Sequence, residues 1–243
     1  MDQKIYTQMR QVEDSHWWFN GRKNIISHVL STLNLPTNGL ILDAGCGTGG
    51  NLELLSRFGH VKGVEFDDEA ISMAKNRQVG EISKGRFPDE IPFPPETFDL
   101  VVLLDVLEHI DDDLNSLLTL SGLMKQSGRL VITVPAFPFL WGQHDEQHHH
   151  KRRYVAASLQ DVIEKAGLRL NHLSYFNTWL FPVVVATRLF EKAFPPHSVG
   201  EGLHVPIAPV NKALEAIFSS ERHLVARARI PFGVSLLAIA EKA

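Results

Sequence analysis

Leu40-Ile41-Leu42 is an apolar run that passes without a break into Asp43-Ala44-Gly45-Cys46-Gly47-Thr48-Gly49-Gly50. This junction constrains the fold more than any other stretch. Its spaced glycines permit a tight turn and let a ligand approach the backbone closely. A strand that ends in such a turn and leads into a helix, expected here over 51–58, is one unit of an α/β layer.

The chain then repeats that alternation. Residues 61–66 read as a second strand ending near Glu65, and 67–77 as a helix whose acidic first turn suits the helix dipole. The proline-rich stretch 87–98 reads as a loop. Residues 98–104 are apolar and β-branched throughout, the pattern of a strand buried on both faces. A helix over 114–124, a turn at Ser127-Gly128 and a strand over 129–134 follow. The expected fold is therefore α/β, a doubly wound and mostly parallel sheet. Ligands of such sheets sit beyond the carboxyl ends of the strands. The Asp43 loop, Glu65, Asp105 and the segment after Pro135 all fall there, which makes them one candidate site.

Residues 2–33 read as helical, and Leu35-Pro36-Thr37-Asn38-Gly39 is a turn cluster. The predicted division is an N-terminal helical lid over 1–38 and a ligand-binding domain over 39–243. Within the latter, 173–218 is expected to be a helical insertion that covers the site. Its apolar start, with Pro195-Pro196 as a stop and a loop over 198–209, leaves three readings open: a cover for a hydrophobic substrate, a membrane-surface contact, or a core helix.

The net charge of −4 argues against a nucleic-acid footprint. Cys46 is the one cysteine, which fits a reducing cytoplasm. The first ten residues lack the apolar core of a secretory signal, and no run reaches the roughly 20 apolar residues of a membrane span.

The glycine loop alone leaves its ligand open. Gly45-x-Gly47-x-x-Gly50 also satisfies the dinucleotide fingerprint, with Glu65 placed to bind a ribose. Charge separates the readings. A pyrophosphate wants positive potential at the helix N-terminus, and Asp43 works against it. S-adenosylmethionine (SAM) has no phosphate and carries an ammonium and a sulfonium, which Asp43 favours. An NAD(P)-dependent oxidoreductase and a non-catalytic SAM-binding protein remain the alternatives.

Ile41-Leu42-Asp43-Ala44-Gly45-Cys46-Gly47-Thr48-Gly49 resembles the first motif of class I SAM-dependent methyltransferases. Phe98-Asp99-Leu100-Val101-Val102, followed by Asp105-Val106-Leu107-Glu108-His109-Ile110, resembles that family's fourth strand and its exit. Lys125-Gln126-Ser127-Gly128-Arg129-Leu130 is similar to the turn before its fifth strand, and 231–240 to its last strand. The resemblance implies a seven-stranded Rossmann-like sheet with the last strand antiparallel, and SAM as co-substrate. It implies that Asp43, Gly45, Cys46 and Gly47 approach the methionine part, that Glu65 and Phe66 lie at the ribose, and that Asp105 borders the site. Where relatives carry an Asp facing adenine, this chain has Arg86, so Phe87 is expected to pack on the adenine instead.

Two further stretches resemble a bacterial subgroup of the family: His16-Trp17-Trp18-Phe19-Asn20-Gly21-Arg22, and the segment from Val134 to Tyr154. The N-terminal aromatics either lid the cofactor or seal a helix onto the sheet, and Arg22 is a candidate partner for the SAM carboxylate.

Methyl transfer to a hydroxyl requires alignment and loss of a proton. His144 is the candidate base, oriented by Asp145, with Tyr154 beside them as a third catalytic candidate. Trp141, Arg152 and Arg153 are candidate substrate contacts, the arginines for an anionic group. The same segment reads equally as a solvated polar loop. A metal site is a further reading, because imidazoles and a carboxylate lie within helical reach of one another; the histidines show no fixed ligand spacing, so no metal ligands are assigned. The expected function is methyl transfer, first to oxygen, on a small molecule that is anionic or partly hydrophobic and conceivably lipid-linked. No nucleic-acid partner is expected; peripheral membrane contact and oligomeric state stay open.

Overall fold

The computed structural model describes residues 3–194 and 204–243. Seven strands form one sheet in the order β3-β2-β1-β4-β5-β7-β6. They are β1 (Leu40–Ala44), β2 (His60–Glu65), β3 (Glu81–Lys84), β4 (Phe98–Leu104), β5 (Met124–Pro135), β6 (Leu168–Phe176) and β7 (Ser235–Lys242). The first five pair in parallel, and β7 is antiparallel to both β5 and β6. The sheet expected from the sequence is thus the one formed.

Ten α-helices accompany it among the described residues: α1 (Gln3–Val12), α2 (Trp17–Ser31), α3 (Leu52–Ser56), α4 (Asp68–Lys75), α5 (Asp113–Leu123), α6 (Gln143–Gln147), α7 (Ala156–Lys165), α8 (Phe181–Ala193), α9 (Ala208–Ser220) and α10 (Arg222–Val225). All seven residues of β4 are buried. Val101 and Leu103 face a core with Leu117, Leu120, Leu159 and Ile163 of α5 and α7. Leu100, Val102 and Leu104 face the opposite core, with residues of α2, α3 and α9. Each such side chain contributes about 1.5–3 kcal/mol by leaving water.

Several boundaries differ from the sequence expectation. The predicted helix over 2–33 is two helices. Its break lies where His16 turns extended and caps α2, its Nδ1 accepting the Trp18 N–H at 3.2 Å. Strand β3 has one buried residue, Ile82, too few for a readable pattern. The turn expected at Ser127-Gly128 is absorbed into β5, opposite a register shift between Phe98 and Leu100 of β4. The first residues of the expected insertion, 173–176, belong to β6. Pro195-Pro196 and 198–203 lie outside the described residues.

None of the described helices is long and apolar enough to cross a membrane. No residue of α8 is buried, and Val183, Leu189 and Phe190 are exposed. Helix α2, by contrast, is locked down. A Cβ at Gly21 would fall on the buried ring of Phe218 in α9. Gly21→Ala gains helix propensity but overpacks this contact, and we expect a net loss of about 1–3 kcal/mol. Denaturant unfolding checks it, with partial recovery expected in the Gly21→Ala/Phe218→Leu double variant.

Candidate active site

The strand order reverses at β1, whose neighbours are β2 and β4. The loops leaving these strands therefore diverge and open a crevice at their carboxyl ends. Gly45, Gly47 and Gly49 all adopt positive φ there. A Cβ at Gly47 would meet nothing within 4 Å, so the backbone presents open space on that side.

Acidic groups surround this loop. Glu65 at the end of β2 is buried and folds back on the backbone: Oε2 accepts the Gly47 N–H at 3.0 Å, and Oε1 accepts those of Phe66 and Asp67. Three of the about four lone-pair directions of a carboxylate are thereby used, and one remains for a hydroxyl. Burial pushes the Glu65 carboxyl up, while the three amides oppose it. Asp43 is buried at the end of β1, and its Oδ2 has no hydrogen-bond partner. Burial and the Glu65 charge raise its pKa to about 7, with Arg22 acting the other way. Cys46 is buried, and that burial, then the Asp43 and Glu65 charges, push its thiol up. Phe66 is half exposed next to Glu65, whereas Phe87 packs against the sheet core.

Arg22 reaches across from α2. It forms an ion pair with Asp105 at the β4 exit, and the Trp18 ring lies 4.8 Å from its guanidinium carbon. Asp105 holds a positive φ of 56°, a strained conformation for a residue that carries a Cβ. The Arg22 Nε–H is buried without a partner. A ligand carrying both a carboxylate and an ammonium, as an amino acid does, satisfies the unpaired Nε–H and the unpaired Asp43 oxygen together.

The contacts that dock α1 here follow no sequence pattern. Glu13 is buried and accepts from Thr48 Oγ1 at 2.7 and 2.8 Å. Arg77 pairs with Glu13 and donates to the Thr48 carbonyl at 2.9 Å. Tyr6 of α1 is buried, and that burial, then the Glu65 and Asp67 charges, push its phenol up. Glu13, Thr48 and Arg77 lie far apart in sequence and fit no local pattern.

Beyond β5, the chain makes the short helix α6 and returns along the β4 exit, where the Lys151 N–H donates to the Glu108 carbonyl at 2.7 Å. The pair expected between His144 and Asp145 does not form. Asp145 is fully buried, and its carboxylate accepts from His150 Nδ1 at 2.8 Å, Arg153 Nε at 2.8 Å and the Gly142 N–H at 2.9 Å. Neighbouring residues on a helix point about 100° apart, so Asp145 cannot orient the residue before it. Burial alone would raise the Asp145 pKa, but the His150 and Arg153 hydrogen bonds hold it well below the usual carboxylate range.

The other polar residues of this segment are likewise held by partners within the protein. Tyr154 is buried in the core, and its hydroxyl donates to Asp113 Oδ2 at 2.8 Å. Its burial and the Asp113 charge push the phenol up, so it is no base. Arg152 is bridged to Asp113 at 2.7 Å, and Arg153 is held by Asp145 and the Ala136 carbonyl, so neither guanidinium is free for an anion. Trp141 is half-buried at the start of α6.

Histidines gather instead. The ring centroids of His144 and His148 are 4.1 Å apart, and those of His109 and His150 are 4.6 Å apart. Burial, and then the neighbouring imidazoles, lower His109 and His144 to about 3 and His148 to about 4. These three rings are neutral at physiological pH. Glu108 is buried among them with one oxygen unpartnered; burial and the Asp105 charge keep its carboxyl protonated well above the ordinary range.

Asp145→Asn leaves His150 and Arg153 without their anion, at an expected cost of about 3–5 kcal/mol near pH 7. Because the native pKa is depressed, that stabilisation is complete above the unfolded value of about 4 and fades as pH falls toward the native one. Urea unfolding of both proteins at neutral and acid pH measures the difference, and equal stability at pH 7 contradicts the assignment.

Comparison with known proteins agrees with this geometry. A family model described as a methyltransferase domain matches residues 19–173. The chain is 27% identical over 147 residues to the demethylmenaquinone methyltransferase of Bacillus licheniformis, covering 57% of this chain and 61% of that protein. It is 31% identical over 125 residues to the mitochondrial ubiquinone biosynthesis O-methyltransferase of Schizosaccharomyces pombe, covering 49% and 46%. The matched stretch thus spans less than two thirds of either relative. Among solved structures, the geranyl diphosphate C-methyltransferase of Streptomyces coelicolor superposes with a TM-score of 0.59 at 15% identity, over 88% of this chain and 76% of that one. The chain belongs to the methyltransferase domain family, and its fold is that of the class I SAM-dependent methyltransferases.

Proposed function

We propose that this protein transfers a methyl group from SAM to an oxygen of a small, largely hydrophobic molecule. The observation that carries this reading is the set of neutral imidazoles at the exits of β4 and β5, beside an acidic crevice at β1 and β2. The crevice suits a cationic donor, and the imidazoles suit an acceptor that must shed a proton.

The donor site is made of Asp43, Gly45, Cys46 and Gly47, with Glu65 at the ribose and Phe66 and Phe87 on the adenine side. Arg22 serves the donor carboxylate through its free Nε–H while Asp105 fixes the guanidinium. Bound there, SAM supplies an electrophilic methyl on a sulfonium; the protein aligns the acceptor and excludes water. The N-terminal unit 1–38 acts as a lid, held by Glu13 on Thr48 and Arg77. The same acids repel a pyrophosphate, which disfavours the dinucleotide reading.

The exposed apolar residues of α8 favour a greasy acceptor. This helix is tied to the site: Lys192 donates to the Phe139 carbonyl at 2.7 Å, and Arg188 lies against Gly142. Of the quinone-related relatives, those named ubiquinone biosynthesis O-methyltransferase support an oxygen acceptor.

Two measurements test this. Calorimetry should show SAM and S-adenosylhomocysteine binding but no NADH. SAM affinity should rise about tenfold between pH 6 and pH 8 as Asp43 ionises, because its native pKa near 7 is raised and only the anion attracts the ammonium. Asp43→Asn should bind weakly and without that pH dependence. Incubation with SAM and a panel of phenols and quinols should then give a methyl ether and S-adenosylhomocysteine in equal amounts. Methylation only at nitrogen or carbon would remove the oxygen assignment and leave the class.

A further inference from the structure

We propose that His144, His148 and His150 form a binding site for one divalent transition-metal ion. One ligand atom from each lies within 4.8 Å of the other two. His144 and His148 are four residues apart across α6 and its end, a spacing that puts two imidazoles on one helix face. His150 closes the tripod from the segment that follows.

Two further features fit a metal. First, the Asp145 carboxylate holds His150 Nδ1, which fixes the tautomer and leaves the Nε2 lone pair as the donor. A carboxylate behind a ligating imidazole is the usual support of such a site and raises ligand basicity. Second, Glu108, His109 and His150 make another set of ligand atoms within the same 4.8 Å limit. The unpartnered Glu108 oxygen is buried in that set.

Metal–nitrogen bonds of about 2.1 Å place tetrahedral ligands about 3.4 Å apart, so modest ring rotations close the tripod. Three imidazoles select zinc, cobalt, nickel, copper or iron rather than magnesium or calcium, which want oxygen. Three protein ligands also leave a position open. On the reading that the acceptor is an oxygen, that position takes the acceptor hydroxyl, and the cation makes it acidic enough to release its proton to solvent. His144 is then a ligand, which replaces its sequence-based assignment as the base.

The test uses tag-free full-length protein, stripped with chelator and dialysed against equimolar Zn²⁺ or Co²⁺. We expect one ion per chain by elemental analysis, and visible absorption from four-coordinate Co²⁺. His144→Ala and His148→Ala should each weaken Zn²⁺ binding on the order of 100-fold. Their fold is checked by circular dichroism and by SAM binding. His28→Ala serves as the control, because His28 and His223 form another imidazole pair with ring centroids 4.4 Å apart on α2 and α10. No bound metal, or metal lost in His28→Ala and retained in His148→Ala, overturns the proposal. One ion bound by the tripod without O-methylation leaves the site standing and removes the acceptor reading. O-methylation by fully metal-free protein does the reverse for the catalytic role.

Discussion

The buried ion pair between Arg22 and Asp105 is the contact on which the site depends. It joins α2, from the N-terminal unit, to the exit of β4, the most buried strand of the sheet. Both partners give up water, so the pair adds little net stability and is costly to break. Its value is positional. It holds Asp105 in a left-handed conformation that an isolated loop would abandon, and it aims the remaining Nε–H of Arg22 without a protein partner. Trp18 over the guanidinium covers the pair, and Phe218 against Gly21 fixes the helix that carries it. The aromatics of 16–22 thus seal α2 against its neighbours and cover the ion pair beside the crevice.

What could be read in the sequence was what is local or periodic. The run of β4 reads as a two-faced strand because all of its residues are apolar or lie where the pattern ends. The Gly45–Gly49 loop reads as a cradle because positive φ leaves few alternatives to glycine. Partnerships across the chain were not legible. Glu13, Thr48 and Arg77 meet only because α1 folds back over the first glycine loop. Adjacency misled at His144-Asp145: side chains next to each other on a helix diverge, and the carboxylate reached forward to His150 and Arg153 instead. Arg152 and Tyr154 were read as substrate and catalytic groups because they are polar, whereas both spend their polarity on Asp113.

Charge divides the crevice into two halves. At β1 and β2 the acids Asp43 and Glu65 are buried, and that desolvation, with the Glu65 charge added and Arg22 opposing, lifts the Asp43 pKa to about 7. A cationic ligand supplies the charge partner that the Asp43 carboxylate lacks. At the exits of β4 and β5 the groups are neutral imidazoles, where a cation of either kind, a proton or a metal, is disfavoured by the other and by desolvation until ligand bonds compensate.

Glu108 stands between the halves. Its carboxyl responds to Asp105 and Arg22 on one side and to Arg153 on the other. Held protonated, it adds no charge to either half and separates the acids of the β1 and β2 crevice from the histidines at the exits of β4 and β5.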